Sequence, residues 1–196
     1  MAGISIDEQS LKLLKNLGVK DSKVLSATER ESIHPEILKL CVSVLTSHAE
    51  PAEIDRYVRV GKKYRRLNFL EARHMAKIID AMSPEEVFVD APDANPVRFA
   101  RELGDLLSCK PRIIAEHKAD RNYVVVSAAS IVAKVERDRA VELLRREHGE
   151  FGSGYPSDEE TIDYLRRWVE REGAFPPFAR RSWKTWDRIL AATLVP

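Results

Sequence analysis

Apolar residues recur along this chain at two different spacings, and the spacing divides it into helices and strands. From Gln9 to Leu17, leucines fall at 11, 14 and 17 and Gly18 follows, which predicts a helix with a natural stop. Ser26-Ala27-Thr28-Glu29 is a capping-box signature, so a second helix opens there, to be interrupted or restarted at Pro35. Leu40 to Ser47 alternates and is β-branched, the pattern of a strand. A short helix is expected over Pro51 to Tyr57. Asn68 and Glu71 have capping spacing for another helix that ends before Ser83-Pro84. Val87-Phe88-Val89 and Arg112 to Ala115 are short strands, with a helix between them that Asn95-Pro96 starts as N-cap and first residue and that runs to about Leu107.

The stretch after Ala115 pulls two ways. Val124-Val125-Val126 favours a strand, yet Val124, Ala128, Ile131 and Val135 are spaced by four, three and four, which is one face of a helix. Burial overrides β-branched preference in such cases. The expectation is a single helix from about Arg121 to His148 with Asp120 at its N-terminus. Gly152-Ser153-Gly154-Tyr155-Pro156 is a turn, and Ser157-Asp158-Glu159-Glu160 a further capping box whose helix Gly173 stops near Glu172. Pro176-Pro177 leads to a last helix near Trp183 to Thr193.

Strands alternating with helices over residues 84–148 imply a βαβ unit with parallel strands, whereas the first half, with a strand over the opening residues, looks antiparallel. The fold class expected is α/β: a mixed sheet flanked by helices, with a helical C-terminal extension. The expected domains are 1–150 and 151–196. Ligands in such sheets gather at the carboxyl ends of strands, and Asp90 stands at one.

Composition narrows the partners. The chain has 196 residues, 44% hydrophobic and 32% charged, with a net charge of +1, so a basic surface can only be local. Residues 166–188 form one such region: Arg166, Arg167, Arg171, Arg180, Arg181, Lys184 and Arg188 stand against Glu170, Glu172 and Asp187. The run Gly61-Lys62-Lys63-Tyr64-Arg65-Arg66 is another. Cys41 and Cys109 are too few for a disulfide framework or a zinc cluster, which fits a reduced cytoplasmic setting. No apolar run approaches the roughly 20 residues of a membrane span, and the first residues lack the basic and apolar regions of a signal peptide.

The candidate chemistry lies in carboxylates. Asp90 closes an apolar strand and Asp120 opens a helix. Across a βαβ crossover the two can converge on one crevice, where oxygen ligands suit a hard divalent cation. Metal beside phosphate is nuclease chemistry. Asp21-Ser22-Lys23 is a compact polar triplet. Gly152-Ser153-Gly154 lacks the Gly-Lys-Ser/Thr ending of a phosphate loop. Arg180-Arg181-Ser182-Trp183-Lys184-Thr185-Trp186 mixes cations suited to a phosphate backbone with tryptophans that read as core anchors. The histidines at 34, 48, 74, 117 and 148 show no metal-ligand spacing.

Three longer runs point to a family. His117-Lys118-Ala119-Asp120, Val126-Ser127-Ala128-Ala129-Ser130-Ile131-Val132-Ala133-Lys134-Val135-Glu136-Arg137-Asp138 and Gly152-Ser153-Gly154-Tyr155-Pro156-Ser157-Asp158 resemble ribonuclease HII, its archaeal branch in particular. Asp21-Ser22-Lys23, Asp90-Ala91 and Ser182-Trp183-Lys184-Thr185 fall in matching order, so the similarity spans essentially the whole chain. The resemblance implies a ribonuclease H-like fold and cleavage of RNA in RNA–DNA hybrids, including incision beside a ribonucleotide embedded in duplex DNA. It implies Mn²⁺ or Mg²⁺ held by four acidic residues, of which Asp90 and Asp120 match the third and fourth. It matches Tyr155 to the tyrosine that contacts the nucleotide at the RNA–DNA junction, and Lys23 to a lysine near the scissile phosphate. The partners so implied are RNA–DNA hybrid and ribonucleotide-containing duplex DNA, with no membrane, and the protein is expected to be a monomer.

One part of the pattern has no counterpart. The family's first strand carries Asp-Glu-Ala-Gly-Arg-Gly, and this sequence contains no such run. Asp7-Glu8 is not a substitute: Gln9-Ser10-Leu11 follows it, and it stands too near Asp21. Residues 2–8 match the family's second strand instead. The expectation is therefore a chain N-terminally truncated relative to the family, without the first, central strand and its two carboxylates. Two functional readings follow: a ribonuclease HII whose recorded start is too late, or a catalytically dead homologue that only binds hybrid or duplex nucleic acid.

Overall fold

The structure is a computed structural model and describes residues 1–19, 25–60 and 66–193. Asp21, Ser22 and Lys23, and residues 61–65 of the basic run, lie outside the described residues. The elements in chain order are β1 (Ala2–Ser5), α1 (Glu8–Asn16), α2 (Ala27–Leu40), β2 (Ser43–Thr46), α3 (Pro51–Val60), α4 (Arg66–Met82), β3 (Glu86–Asp90), α5 (Pro96–Leu106), β4 (Arg112–Glu116), α6 (Ala119–Asn122), α7 (Val124–His148), α8 (Glu159–Glu172) and α9 (Thr185–Thr193). They form two compact units, Met1–His48 with Asn68–Arg137 and Ala49–Leu67 with Asp138–Pro196.

In the first unit the described strands make two separate two-stranded sheets rather than one mixed sheet. β1 and β2 are antiparallel, with Gly3 opposite Leu45. β3 and β4 are parallel, with Asp90 opposite Glu116. Both directions agree with the sequence reading. Gly3 is needed for close approach: a Cβ there would stand 2.5 Å from Cγ2 of Ile78 on α4. Two apolar clusters build the core. One joins Ala72, Ala76 and Ile79 of α4 to Val89 and to Phe99 and Leu103 of α5. The other joins Leu14 and Ile37 to Ala128, Ile131, Val132 and Val135 of α7, with Ile4 and Val44 packed against it. That second cluster is the face read from the spacing of α7, and it explains why three consecutive valines lie at a helix start.

Local signals place most helix ends. Asp7 is the N-cap of α1, its Oδ1 accepting from the Ser10 N–H at 2.7 Å. The Ser26–Glu29 capping box forms with both bonds. Asn95 caps α5 and accepts from the Arg98 N–H at 3.0 Å. Several boundaries differ from the sequence reading. α2 runs through Pro35, because buried His34 and Ile37 anchor the turns around it and outweigh the one lost backbone bond. The strand expected from Leu40 begins at Ser43, since Cys41 ends α2 in an extended conformation. Asn68 lies inside α4, not at its cap, and its side chain donates to Asp93 at 3.2 Å. The single helix from Arg121 is broken at Tyr123, whose φ of −124° and ψ of 113° separate α6 from α7. Asp120 accordingly lies in a one-turn helix.

The second unit packs Ile162 and Leu165 of α8 against Ala179, Trp186 and Ile189. Trp186 is thus a core anchor, and its indole N–H donates to the Arg180 carbonyl at 2.7 Å. Its ring meets Phe175 edge-on at 4.5 Å. The cap of α8 is Asp158, one residue later than the capping-box reading, and Gly173 closes the helix as expected.

Candidate functional site

β3 and β4 end side by side, and the chain leaving β4 folds back over the end of β3. The Ala91 N–H donates to the Glu116 carbonyl at 2.9 Å, carrying the parallel ladder one step past Asp90. Lys118 then adopts a left-handed conformation, φ 56° and ψ 38°, which turns the chain into α6. The Ala119 N–H donates to Oδ1 of Asp90 at 3.2 Å. Asp120 is the next residue and is 5% exposed. The residue before Asp120 therefore lies against the carboxylate of Asp90, just beyond the carboxyl ends of two parallel strands. A hydrogen bond to the residue before Asp120 fixes the carboxylate of Asp90.

Two further carboxylates surround them that sequence reasoning did not pick out. Glu116 stands beside Asp90 in register, and it is tied down: the Tyr123 hydroxyl donates to its Oε1 at 2.6 Å and the Asn122 amide to its Oε2 at 2.8 Å. The Tyr123 bond, then the Asn122 bond, hold the Glu116 carboxyl below the usual range, and the same contact pushes the Tyr123 phenol up. The Tyr123 ring also packs at 4.6 Å from Phe88 of β3. These bonds account for the break between α6 and α7. Glu71 of α4 is partly buried; burial pushes its carboxyl up, the Met1 ammonium works against this, and the charge of Asp90 adds to it. In the sequence it read only as a cap partner of Asn68.

The loop leaving Asp90 is fixed by Asp93, which is 1% exposed. Its carboxylate accepts from the Arg98 guanidinium, from the Asn95 N–H at 2.8 Å and from Asn68. These bonds, the Arg98 one foremost, lower its pKa to about 2.

The donor set suits a hard divalent ion in kind. Mg²⁺ is commonly held by one or two carboxylates, with water and substrate phosphate completing its shell, and Asp90 with Asp120 would meet that need. Among the described residues there is no group of three or more His, Cys, Asp or Glu poised to hold a metal.

Tyr155, in the second unit, is 54% exposed at the tip of a tightly bonded turn. Oδ2 of Asp158 accepts from the N–H and hydroxyl of Ser153 at 2.5 and 2.7 Å. The Gly154 N–H donates to Thr161 Oγ1 at 3.0 Å, and that hydroxyl donates to the Phe151 carbonyl at 2.8 Å. Gly152 has φ +72°, and a Cβ there would stand 2.4 Å from Asp158 Oδ2. A second carboxylate in this unit, Asp55 of α3, escaped sequence reading because its partners are 126 and 127 residues away: it accepts from the N–H groups of Arg181 and Ser182 at 2.7 and 2.9 Å. Nothing in the described residues is long and apolar enough as a helix to cross a membrane.

Comparison with known proteins agrees with these features. The family model described as Ribonuclease HII matches residues 1–186. Ribonuclease HII of Cenarchaeum symbiosum is 43% identical over 184 residues, which cover 94% of this chain and 86% of that protein. The crystal structure of ribonuclease H2 from Pyrococcus horikoshii superimposes with a TM-score of 0.86 at 37% identity, covering 97% of each chain. The ribonuclease HII in a complex with PCNA from Archaeoglobus fulgidus gives a TM-score of 0.79 at 37% identity, covering 96% of this chain and 95% of that one. The α/β fold is thus ribonuclease H-like, and with a family match across nearly all of its length this chain belongs to the ribonuclease HII family of ribonucleases.

Proposed function

We propose that this chain is an endonuclease that hydrolyses the RNA strand of RNA–DNA hybrids and incises duplex DNA at embedded ribonucleotides, leaving 3′-hydroxyl and 5′-phosphate ends. The observation that supports this reading is the Ala119–Asp90 hydrogen bond, which joins the residue before Asp120 to the carboxylate that ends β3. These two carboxylates would serve as catalytic ligands for Mn²⁺ or Mg²⁺, Asp90 toward one ion and Asp120 toward a second. Such an ion, when bound, activates a water and stabilises the departing oxygen. The bond between Ala119 and Asp90 keeps that carboxylate in one orientation. Lys23 would neutralise charge on the scissile phosphate, and Tyr155, presented from a rigid turn, would stack against the junction nucleotide. In this reading residues 1–150 carry catalysis and residues 151–196 help hold the substrate.

A second reading has an observation of its own. Among the described residues no group of three or more His, Cys, Asp or Glu is poised to hold a metal, and the sequence contains no Asp-Glu-Ala-Gly-Arg-Gly run. A homologue so equipped would bind hybrid or duplex without cutting it. The two readings separate in one assay, in which the chain is incubated with Mn²⁺ and a duplex carrying a single ribonucleotide. Cleavage 5′ of the ribonucleotide that is lost on Asp90→Asn supports the endonuclease. Binding without cleavage supports the binding-only protein.

A further inference from the structure

Within the second unit, α3 and the segment 177–181 border an open groove of about 500 Å³, lined by Asp55, Arg56 and Arg59 of α3 and by Pro177, Ala179 and Arg181. Its charge is unbalanced. The carboxylate of Asp55 is buried and committed to the N–H groups of Arg181 and Ser182, so it holds the wall together. Arg56, Arg59 and Arg181 are all exposed. Among the described residues none of the three is held in an ion pair. Arg56 instead lies over the Tyr57 ring at 5.8 Å and Arg181 over Phe175 at 5.6 Å. Contacts of that kind orient a guanidinium and leave its charge and its forked donors available.

Arg56 and Arg59 are neighbours one turn apart on α3, with Cβ atoms about 5–6 Å apart, and Arg181 lines the same groove. Three arginines line one groove beside Pro177 and Ala179, and the planar fork of a guanidinium matches phosphate, which it binds in bidentate fashion. A small anion that must be engulfed needs buried donors, since small-molecule pockets cover most of the ligand surface. Here the donors are open to solvent, which suits a polymer laid across the opening.

We infer that this groove is a phosphate-binding site for the sugar–phosphate backbone of the nucleic-acid duplex, distinct from the aspartate pair. The inference rests on the proposed hybrid or duplex substrate and adds a place where its backbone is held. The site contributes affinity without reading sequence and takes no part in bond cleavage.

The test is fluorescence anisotropy of an all-DNA duplex in EDTA, repeated over a series of salt concentrations. Each phosphate contact contributes a slope of about −0.9 in log affinity against log salt. The double variant Arg56→Ala/Arg59→Ala is expected to flatten the slope by about 1–2 units and to weaken low-salt binding roughly tenfold. Arg56→Lys/Arg59→Lys should keep most of the slope. A double alanine variant with the wild-type slope and affinity overturns the site while leaving duplex binding standing. A wild-type chain that binds neither this duplex nor an RNA–DNA hybrid of the same length overturns both the site and the substrate reading. Inorganic phosphate, at matched ionic strength, is expected to compete no better than chloride. Selective competition by phosphate that disappears in the double alanine variant would identify free phosphate as the ligand and overturn the backbone assignment.

Discussion

The main-chain N–H of Ala119 donates to Oδ1 of Asp90 across 3.2 Å, so the residue before Asp120 holds the carboxylate at the end of β3. This bond separates two roles of Asp90 that a substitution can resolve. Asparagine keeps an oxygen for Ala119 and loses the charge. Asp90→Asn is therefore expected to fold with a stability within about 1 kcal/mol of wild type, while any metal-dependent cleavage falls on the order of 10²–10³-fold, because Lewis-acid stabilisation supplies several kcal/mol. Thermal unfolding and initial cleavage rates check the two halves separately.

Glu71 senses the same charge from α4. Burial raises its pKa above the ordinary glutamate value of about 4.5, and Asp90 contributes to the rise. Between the unfolded and folded pKa values the native state holds the extra proton. The stability linked to Glu71 is thus complete below about 4.5 and is lost as pH rises through the raised folded value. Glu71→Gln should remove that decline, so its midpoint temperature gains on wild type as pH increases through this window. In Asp90→Asn, NMR titration should show the Glu71 pKa moving down. A pKa that does not move would mean that the two carboxylates do not interact.

Asp93 has the opposite sign. Its pKa is lowered to about 2, first by the Arg98 bond and then by the Asn95 N–H. The stability it provides is present above the ordinary aspartate value of 3.8 and is lost as pH falls through about 2. Asp93→Asn should flatten the acid limb of the stability profile. It should also cost on the order of 2 kcal/mol near neutral pH, less than the 3–5 of a fully buried pair, because the Arg98 side chain is 33% exposed. Denaturant midpoints measured across the acid range decide it.

The boundary between what the sequence reveals and what it hides runs through these residues. Asn95, Ser26 and Gly173 act on their own helix ends through bonds a few residues long, so local patterns disclose them. The face of α7 was legible for the same reason, since helical spacing repeats along one element. Glu116, Glu71 and Asp93 depend on partners in other elements. The break at Tyr123 follows from its bond to Glu116 and its packing on Phe88, and neither contact has a signature in the valine-rich segment it interrupts. Asp90 and Asp120 are legible as candidates because each sits at an element boundary within recognisable runs. The contact between Ala119 and Asp90 requires the left-handed turn at Lys118, which lysine adopts only where the surrounding structure imposes it.

That Tyr123 contact is itself testable. Tyr123→Phe keeps the ring against Phe88 and removes the hydroxyl from Glu116. The variant is expected to unfold at a lower temperature than wild type, because a hydrogen bond to a charged acceptor is lost. The Glu116 pKa should return toward its ordinary value, because the Tyr123 bond is the largest cause of its depression. Unchanged titration of Glu116 would show that Asn122 alone holds it.

The turn that carries Tyr155 offers a way to distinguish a rigid display from a mere exposed aromatic. Tyr155→Phe preserves the ring and should leave kcat/KM or duplex affinity within about twofold. Tyr155→Ala should lower it by roughly 10-fold or more, since stacking of an aromatic on a base contributes about 1–3 kcal/mol. Gly152→Ala leaves Tyr155 in place and forces a Cβ against Asp158 Oδ2 and, at 2.8 Å, the Glu160 Cβ, in a backbone conformation with φ +72°. It should disturb the Asp158–Ser153 bonds and destabilise the fold by about 1–3 kcal/mol. If presentation of the ring matters, Gly152→Ala will reproduce much of the Tyr155→Ala loss at temperatures where circular dichroism still shows a folded chain. If the ring binds equally well from a loosened turn, affinity will survive Gly152→Ala, and the bonding around Asp158 will be a matter of stability alone.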